Sequence, residues 1–299
     1  MTIRLLTFAH MPSEPLFFPS ANHHSHTHFS DGVGDPEEYV QAALAAGLTT
    51  YGFSDHAPLP SGETGLFDLA DLPAYVAETQ RLIDKYAGKI ELYRSLEVDY
   101  LGAEMNVNSD YLQPAELAYT VGAVHYVGRL ATGERWSFQR PDPIFQRGID
   151  EIFGGSVQKC VERYFELIRE MVSDHPPDVV AHLDRILKRN VADRFWDRTA
   201  KWYRHAILET LEAVAASGCI MELNTRGMYR NDNTTTYPGP FAAAEARRLG
   251  VHVHLSSDAH APEQVVLNFE DGMAVLRGAG YESVRVFRGG VWVDEELVF

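Results

Sequence analysis

Cysteine is scarce, with only Cys160 and Cys219 in the chain. Two cysteines build no disulfide framework, and neither stands in a zinc-ligand spacing. Both read as buried small hydrophobes, which suits a reducing, cytoplasmic setting. Long apolar runs are missing too. No window approaches the ~18 uninterrupted apolar residues of a membrane span. The N-terminus MTIRLLTFAHMPSEPLFFPS lacks the charged start, continuous apolar core and cleavage site of a signal peptide. Neither a P-loop nor a Rossmann glycine pattern occurs, which disfavours a nucleotide-cofactor enzyme. Basic clusters are absent while the formal net charge is −16, so duplex nucleic acid is repelled. A small phosphorylated substrate stays admissible, because bound divalent cations reverse the local field.

No Pro/Gly/Ser-rich linker, repeat or low-complexity run divides the 299 residues, and 45% of them are hydrophobic. One domain over 21–299 is expected, preceded by an extension, 1–20, to which no role is assigned. Short β-branched or apolar runs alternate with longer amphipathic stretches. Strands are expected near Ala21–Phe29, Thr49–Ser54, Ile90–Asp99, Tyr119–His125, Val179–His182, Ile220–Leu223 and Val251–Ser256. Helices are expected at Pro36–Ala46, Leu72–Ala87, Val157–Ser173, Lys201–Ser217, Pro240–Leu249 and Pro262–Arg277. Asp35-Pro36 and Gly47 supply start and stop signals for the first helix. This alternation predicts an α/β fold with a parallel sheet, and seven strands suggest closure into a barrel. A terminal hairpin is expected over 284–293.

Position is the informative feature. Nearly every clustered His, Asp and Glu falls at the C-terminal end of an expected strand, the face on which an α/β barrel carries its site. The first cluster is Asn22-His23-His24-Ser25-His26-Thr27-His28-Phe29-Ser30-Asp31-Gly32. Residues two apart on a strand share a face, so His24 and His26 can point together, or His26 and His28. Imidazoles at this spacing suit zinc, manganese or iron. Phe53-Ser54-Asp55-His56 ends the second strand and Leu96-Glu97-Val98-Asp99-Tyr100 the third. A Glu within an apolar run is costly to bury unless paired or bound to a cation. His125 and His182 each end a strand, and Ser257-Asp258-Ala259-His260 follows the seventh. Each motif alone has an ordinary explanation: a solvated His, a capping Asp, an outward Glu. Six consecutive strand ends of ligand-type residues do not.

In this order the motifs resemble the polymerase and histidinol phosphatase (PHP) superfamily. The likeness runs from about Asn22 to about Val265. The phrases Ser54-Asp55-His56-Ala57-Pro58-Leu59-Pro60, Leu96–Tyr100 and Val124-His125-Tyr126 are most similar to histidinol-phosphate phosphatases. So are Glu222-Leu223-Asn224-Thr225-Arg226-Gly227 with Tyr237-Pro238, and Ser257–His260. The resemblance implies a distorted (β/α)7 barrel holding two or three divalent transition metal ions. One metal would take His24, His26, Glu97 and Asp258, with Glu97 bridging to a second held by His125 and His182. The third would take His56, His260 and a ligand from the first loop. The family spacing selects His24 and His26 over His28.

Two departures stand out. Many histidinol phosphatases place a His where this chain has Gly32, which makes the neighbouring Asp31 the substitute third-metal ligand. Asn22 stands where the family often has Asp. Glu97, Asp258 and His260 are expected to be catalytic as well as ligating, and Arg226 and Arg230 to grip phosphate. The reaction implied is hydrolysis of L-histidinol phosphate, a step of histidine biosynthesis, through attack by a metal-bridging hydroxide. One rival is a PHP phosphoesterase acting on nucleotide phosphates or single-stranded ends, which Asp31 favours. The other is a catalytically silent PHP module, which the nearly full ligand set opposes.

Overall fold

The computed structural model describes residues 18–60, 66–230 and 235–298. Most of the N-terminal extension, 1–17, lies outside the described residues. Twelve strands are formed among the described residues: β1 (Ala21–Asn22), β2 (Thr50–Phe53), β3 (Glu91–Arg94), β4 (Glu97–Asp99), β5 (Val121–Ala123), β6 (Tyr126–Arg129), β7 (Arg135–Ser137), β8 (Val179–Val180), β9 (Ile220–Asn224), β10 (Val253–Ser256), β11 (Ser283–Arg288) and β12 (Val291–Glu296). The helices are α1 (Pro36–Ala45), α2 (Leu72–Tyr86), α3 (Asp142–Phe153), α4 (Val157–Asp174), α5 (Lys201–Ser217), α6 (Arg226–Tyr229), α7 (Pro240–Arg248) and α8 (Phe269–Ala279).

Parallel pairing runs β1-β2-β3 and β4-β5-β8-β9-β10. β3 and β4 are one stave broken at Ser95-Leu96. Its first half pairs with β2 (Phe53 opposite Arg94) and its second with β5 (Glu97 opposite Val121). The ring closes between the first and last staves, where Ser25 bridges Ala259 and the His26 N–H donates to the Ala259 carbonyl at 2.7 Å. Seven staves therefore form a parallel barrel with helices outside, as the alternation in the sequence predicts. Both faces of its strands are covered, which is why β2, β9 and β10 are buried throughout.

Most elements fall where the periodicity places them, including the Lys201–Ser217 helix and the antiparallel β11–β12 hairpin. One helix does not. The expected Pro262–Arg277 helix is a 3-10 turn, Pro262–Gln264, followed by α8 from Phe269. The reason is competition for backbone acceptors. Asn22 Nδ2 and Ser257 Oγ both donate to the Val265 carbonyl, and Thr225 Oγ1 donates to that of Leu267. Asn268 then turns the chain at a φ of +59°. Beyond the one-turn α6, two larger elements were not anticipated: α3 and the β6–β7 hairpin, which pack over the barrel mouth and bury Trp136.

Candidate metal centre

At the C-terminal ends of the staves, nine side chains singled out in the sequence lie together: His24, His26, Asp31, His56, Glu97, His125, His182, Asp258 and His260. His24 Nε2 lies 3.1 Å from His26 Nε2, 3.7 Å from Glu97 Oε1 and 3.8 Å from Asp258 Oδ1. His26 Nε2 is 3.2 Å from the same Asp258 oxygen and 3.6 Å from Glu97 Oε2. Glu97 Oε1 also lies 2.8 Å from His182 Nε2 and 3.7 Å from His125 Nε2, while its Oε2 is 3.0 Å from His56 Nδ1. Asp31 Oδ1 stands 3.2 Å from His260 Nε2 and 3.6 Å from His56 Nε2. Glu97 thus lies beside donors of all three groups that the family resemblance implies.

His23 and His28 stay outside. His23 faces the opposite side of its strand and accepts from the Phe287 N–H at 3.0 Å. His28 is half exposed beside Asp35.

Gly32 explains the departure in the first loop. A Cβ there would sit 2.0 Å from the His26 carbonyl oxygen, so no histidine fits without moving the loop. Asp55 holds that loop, accepting from the Thr27 N–H at 2.7 Å, Thr27 Oγ1 at 3.0 Å and Ser30 Oγ at 2.7 Å. Asp31 is thereby turned toward His56 and His260.

Several supporting residues carried no role in the sequence reading. Glu222, fully buried on β9, lies 2.5 Å from His24 Nδ1 and accepts from the His182 N–H at 2.7 Å, Asn224 Nδ2 at 3.0 Å and the Ser256 hydroxyl. Asp99 lies 3.0 Å from His125 Nδ1. Each carboxylate fixes the tautomer of an imidazole, leaving Nε2 as a lone pair aimed into the cluster. Both carboxylates sit in short apolar strands, the signal that singled out Glu97. Asn22 positions the strand, accepting from the His24 N–H at 3.1 Å.

The chemistry of these donors fits divalent cations. Burial opposes charge on His56, yet the Glu97 carboxylate beside it lifts the imidazole to about 9. Burial likewise opposes a charged Glu97, but His125, His56 and His24 hold it well below the usual carboxylate range. The carboxylates draw positive charge into the site. Burial and the flanking His260 and His56 rings push His26 down to about 3, keeping it in the neutral form that ligates metal.

The cluster opens into a cavity of about 960 Å³ that Arg185, Lys188, Arg226 and Arg230 also line. Arg230 is exposed, as a phosphate-gripping loop residue can be. Arg226 is instead buried, and its Nη1 donates to the Asp258 carbonyl at 2.7 Å, so it also fixes the loop that carries Asp258. Arg185 is buried, stacks 5.2 Å over the Tyr237 ring, and leaves Nε and Nη1 without hydrogen-bond partners among the described residues. Sequence offered no cue to it beyond its position three residues after His182.

Relatives match this chain over most of its length. A Deinococcus radiodurans protein named probable histidinol-phosphatase is 29% identical over 264 residues, covering 87% of this chain and 94% of its own. The Bacillus subtilis histidinol-phosphatase is 25% identical, covering 83% of this chain and 96% of its own. A solved Lactococcus lactis histidinol phosphate phosphatase, complexed with zinc, L-histidinol and phosphate, has the same fold. Its TM-score is 0.65 at 20% identity, covering 91% of this chain and 98% of that one. The PHP domain family matches residues 22–226, and the chain belongs to that family.

Proposed function

We propose that this protein is a metal-dependent phosphomonoesterase that hydrolyses L-histidinol phosphate to L-histidinol and phosphate. The observation that carries the reading is one cavity lined both by eight of the nine clustered metal-type donors, all but the buried His24, and by a set of arginines. The names of the relatives and the L-histidinol and phosphate of the Lactococcus lactis complex support the substrate. No helix among the described residues is long and apolar enough to cross a membrane, in keeping with a cytoplasmic biosynthetic enzyme.

In this reading two or three cations of zinc, manganese or iron would be held by three groups: His24, His26, Glu97 and Asp258; Glu97, His125 and His182; and Asp31, His56 and His260. Bound there, they supply an acidified water and offset the charge that builds on the phosphoryl oxygens. The chain does the rest. Glu222 and Asp99 hold the imidazoles in their ligating tautomers. The Arg185 guanidinium offers the phosphate its Nε and Nη1, which have no hydrogen-bond partner among the described residues, and its stacking on Tyr237 limits the entropy lost on binding. Arg230 adds charge from the rim. Arg226 keeps Asp258 and His260 in register, its Nη1 lying 2.7 Å from His260 Nδ1.

Asp31, the residue that favours the nucleotide-phosphate alternative, lies within the cluster. The decisive measurement is phosphate release from histidinol phosphate against nucleoside bisphosphates, on metal-replete protein. The expected outcome is preference for histidinol phosphate by at least about ten-fold in kcat/KM, which corresponds to 1.4 kcal/mol of differential transition-state binding. Preference for the bisphosphates overturns the substrate assignment.

A further inference from the structure

Arg185 and Lys188 lie three residues apart on the 3-10 turn Arg185–Arg189, a spacing that stacks side chains on one face. Both line the cavity of the donor cluster, as do Arg226 and Arg230. Among the described residues the Lys188 ammonium bonds to Gln139 Oε1 at 3.0 Å, a neutral acceptor, and pairs with no carboxylate. Its neighbours are cations that stay charged at any working pH. Lysine is the one member of the set whose charge its surroundings can switch.

We infer that Lys188 is a phosphate-contacting residue of this site, and that its amine takes up a proton from solvent as a phosphate dianion arrives. The inference rests on the phosphatase reading and adds to it a residue and a proton linkage. Partial burial and the Arg185, Arg226 and Arg230 guanidiniums push the amine down to about 7, and Asp258 is the carboxylate that opposes them. Cations in the donor cluster act in the same downward direction. Near neutrality the wall is therefore spared part of a fourth like charge. A dianion reverses the balance: solvent gives up a proton, the Nζ lone pair forms an N–H bond, and no bond of the phosphate changes. The complex then holds one proton more than the free site, so affinity falls as pH rises above about 7.

The test is titration calorimetry of the metal-loaded full chain with sulfate, a dianion that does not itself titrate. Buffers of different ionisation enthalpy at about pH 8, well below the usual lysine range, report the protons exchanged. Wild type should take up close to one proton more per sulfate than Lys188→Arg, a comparison that cancels protons exchanged at the metals. Lys188→Arg should bind within about three-fold of wild type, because its charge is permanent. Lys188→Met should bind about ten-fold more weakly and also lack the extra uptake. Equal uptake by all three proteins, or sulfate binding by Lys188→Met as tight as wild type, overturns the inference. Turnover of histidinol phosphate by the same preparations reads the phosphatase assignment separately: equal uptake with intact turnover sinks the linkage alone. Sulfate binding to none of them also overturns the inference, and sinks the phosphatase assignment only where turnover is lost as well.

Discussion

At the scale of single residues, the site is governed by who supplies lone pairs and who fixes them. Asp31 tests the first. It stands where its oxygen meets His56 and His260, and Gly32 leaves no room for a histidine in its own place. Asp31→Ala should lower the metal content and the turnover while leaving the Glu97-centred donors filled, as metal analysis beside an activity assay would report. A full metal count with retained turnover would remove Asp31 from the ligand set. Glu222 tests the second. Four donors converge on it: His24 Nδ1, Ser256 Oγ, the His182 N–H and Asn224 Nδ2. In Glu222→Gln the amide NH2 must face some of these donors whichever way it flips. The predicted cost is about 1–3 kcal/mol in a denaturant titration. Metal affinity should fall about 10- to 100-fold, because His24 loses its orienting partner. Unchanged metal affinity would reduce Glu222 to a packing role.

At the scale of elements, what the sequence made legible was periodicity and position. Alternating strand and helix patterns located all seven staves, and ligand-type residues at strand ends located the cluster. What stayed hidden was whatever depends on contacts made at a distance. The helix expected from Pro262 is interrupted because Asn22 and Thr225, far away in sequence, bind its carbonyls. Arg185 became visible as a candidate only once Tyr237 was seen beneath it. α3 escaped notice because Gly148 sits in its middle, where glycine costs about 1 kcal/mol relative to alanine. The fold supplies the reason: a Cβ at Gly148 would lie 2.0 Å from the Trp136 indole. Gly148→Ala therefore sets a propensity gain of up to ~1 kcal/mol against overpacking of about 1–3 kcal/mol. The contact is too short for the ring to absorb by a small shift, so overpacking should win and the melting temperature should fall. A higher melting temperature for Gly148→Ala would show that the β6–β7 hairpin is free to move away from α3.

For the whole molecule, charge and metal are one problem. The chain carries a net charge of −16, and its barrel mouth gathers the buried carboxylates Glu97, Asp258 and Glu222. Burial opposes ionisation of Glu222, yet the His24 imidazole beside it holds the carboxyl at about 2. Burial also opposes ionisation of Asp258, but the Arg226 guanidinium and His24 hold it well below the usual carboxylate range. Lone pairs aimed at one another across 3–4 Å repel unless positive charge lies between them. Binding that a folded barrel offers and an unfolded chain does not must stabilise the fold by mass action. A cation at a hundred times its dissociation constant contributes about 2.7 kcal/mol. For a domain of this size that corresponds to roughly 4–5 °C in melting temperature for each such cation. Stripping the protein with a strong chelator should lower the melting temperature by about that amount and abolish phosphate release, and adding back zinc, manganese or iron should restore both. The two readouts separate two roles for the metals. Loss of activity at an unchanged melting temperature would mean that the cluster is held together by its own hydrogen bonds and the cations serve chemistry alone. Full activity in protein shown to be metal-free would defeat the metal-dependent mechanism itself.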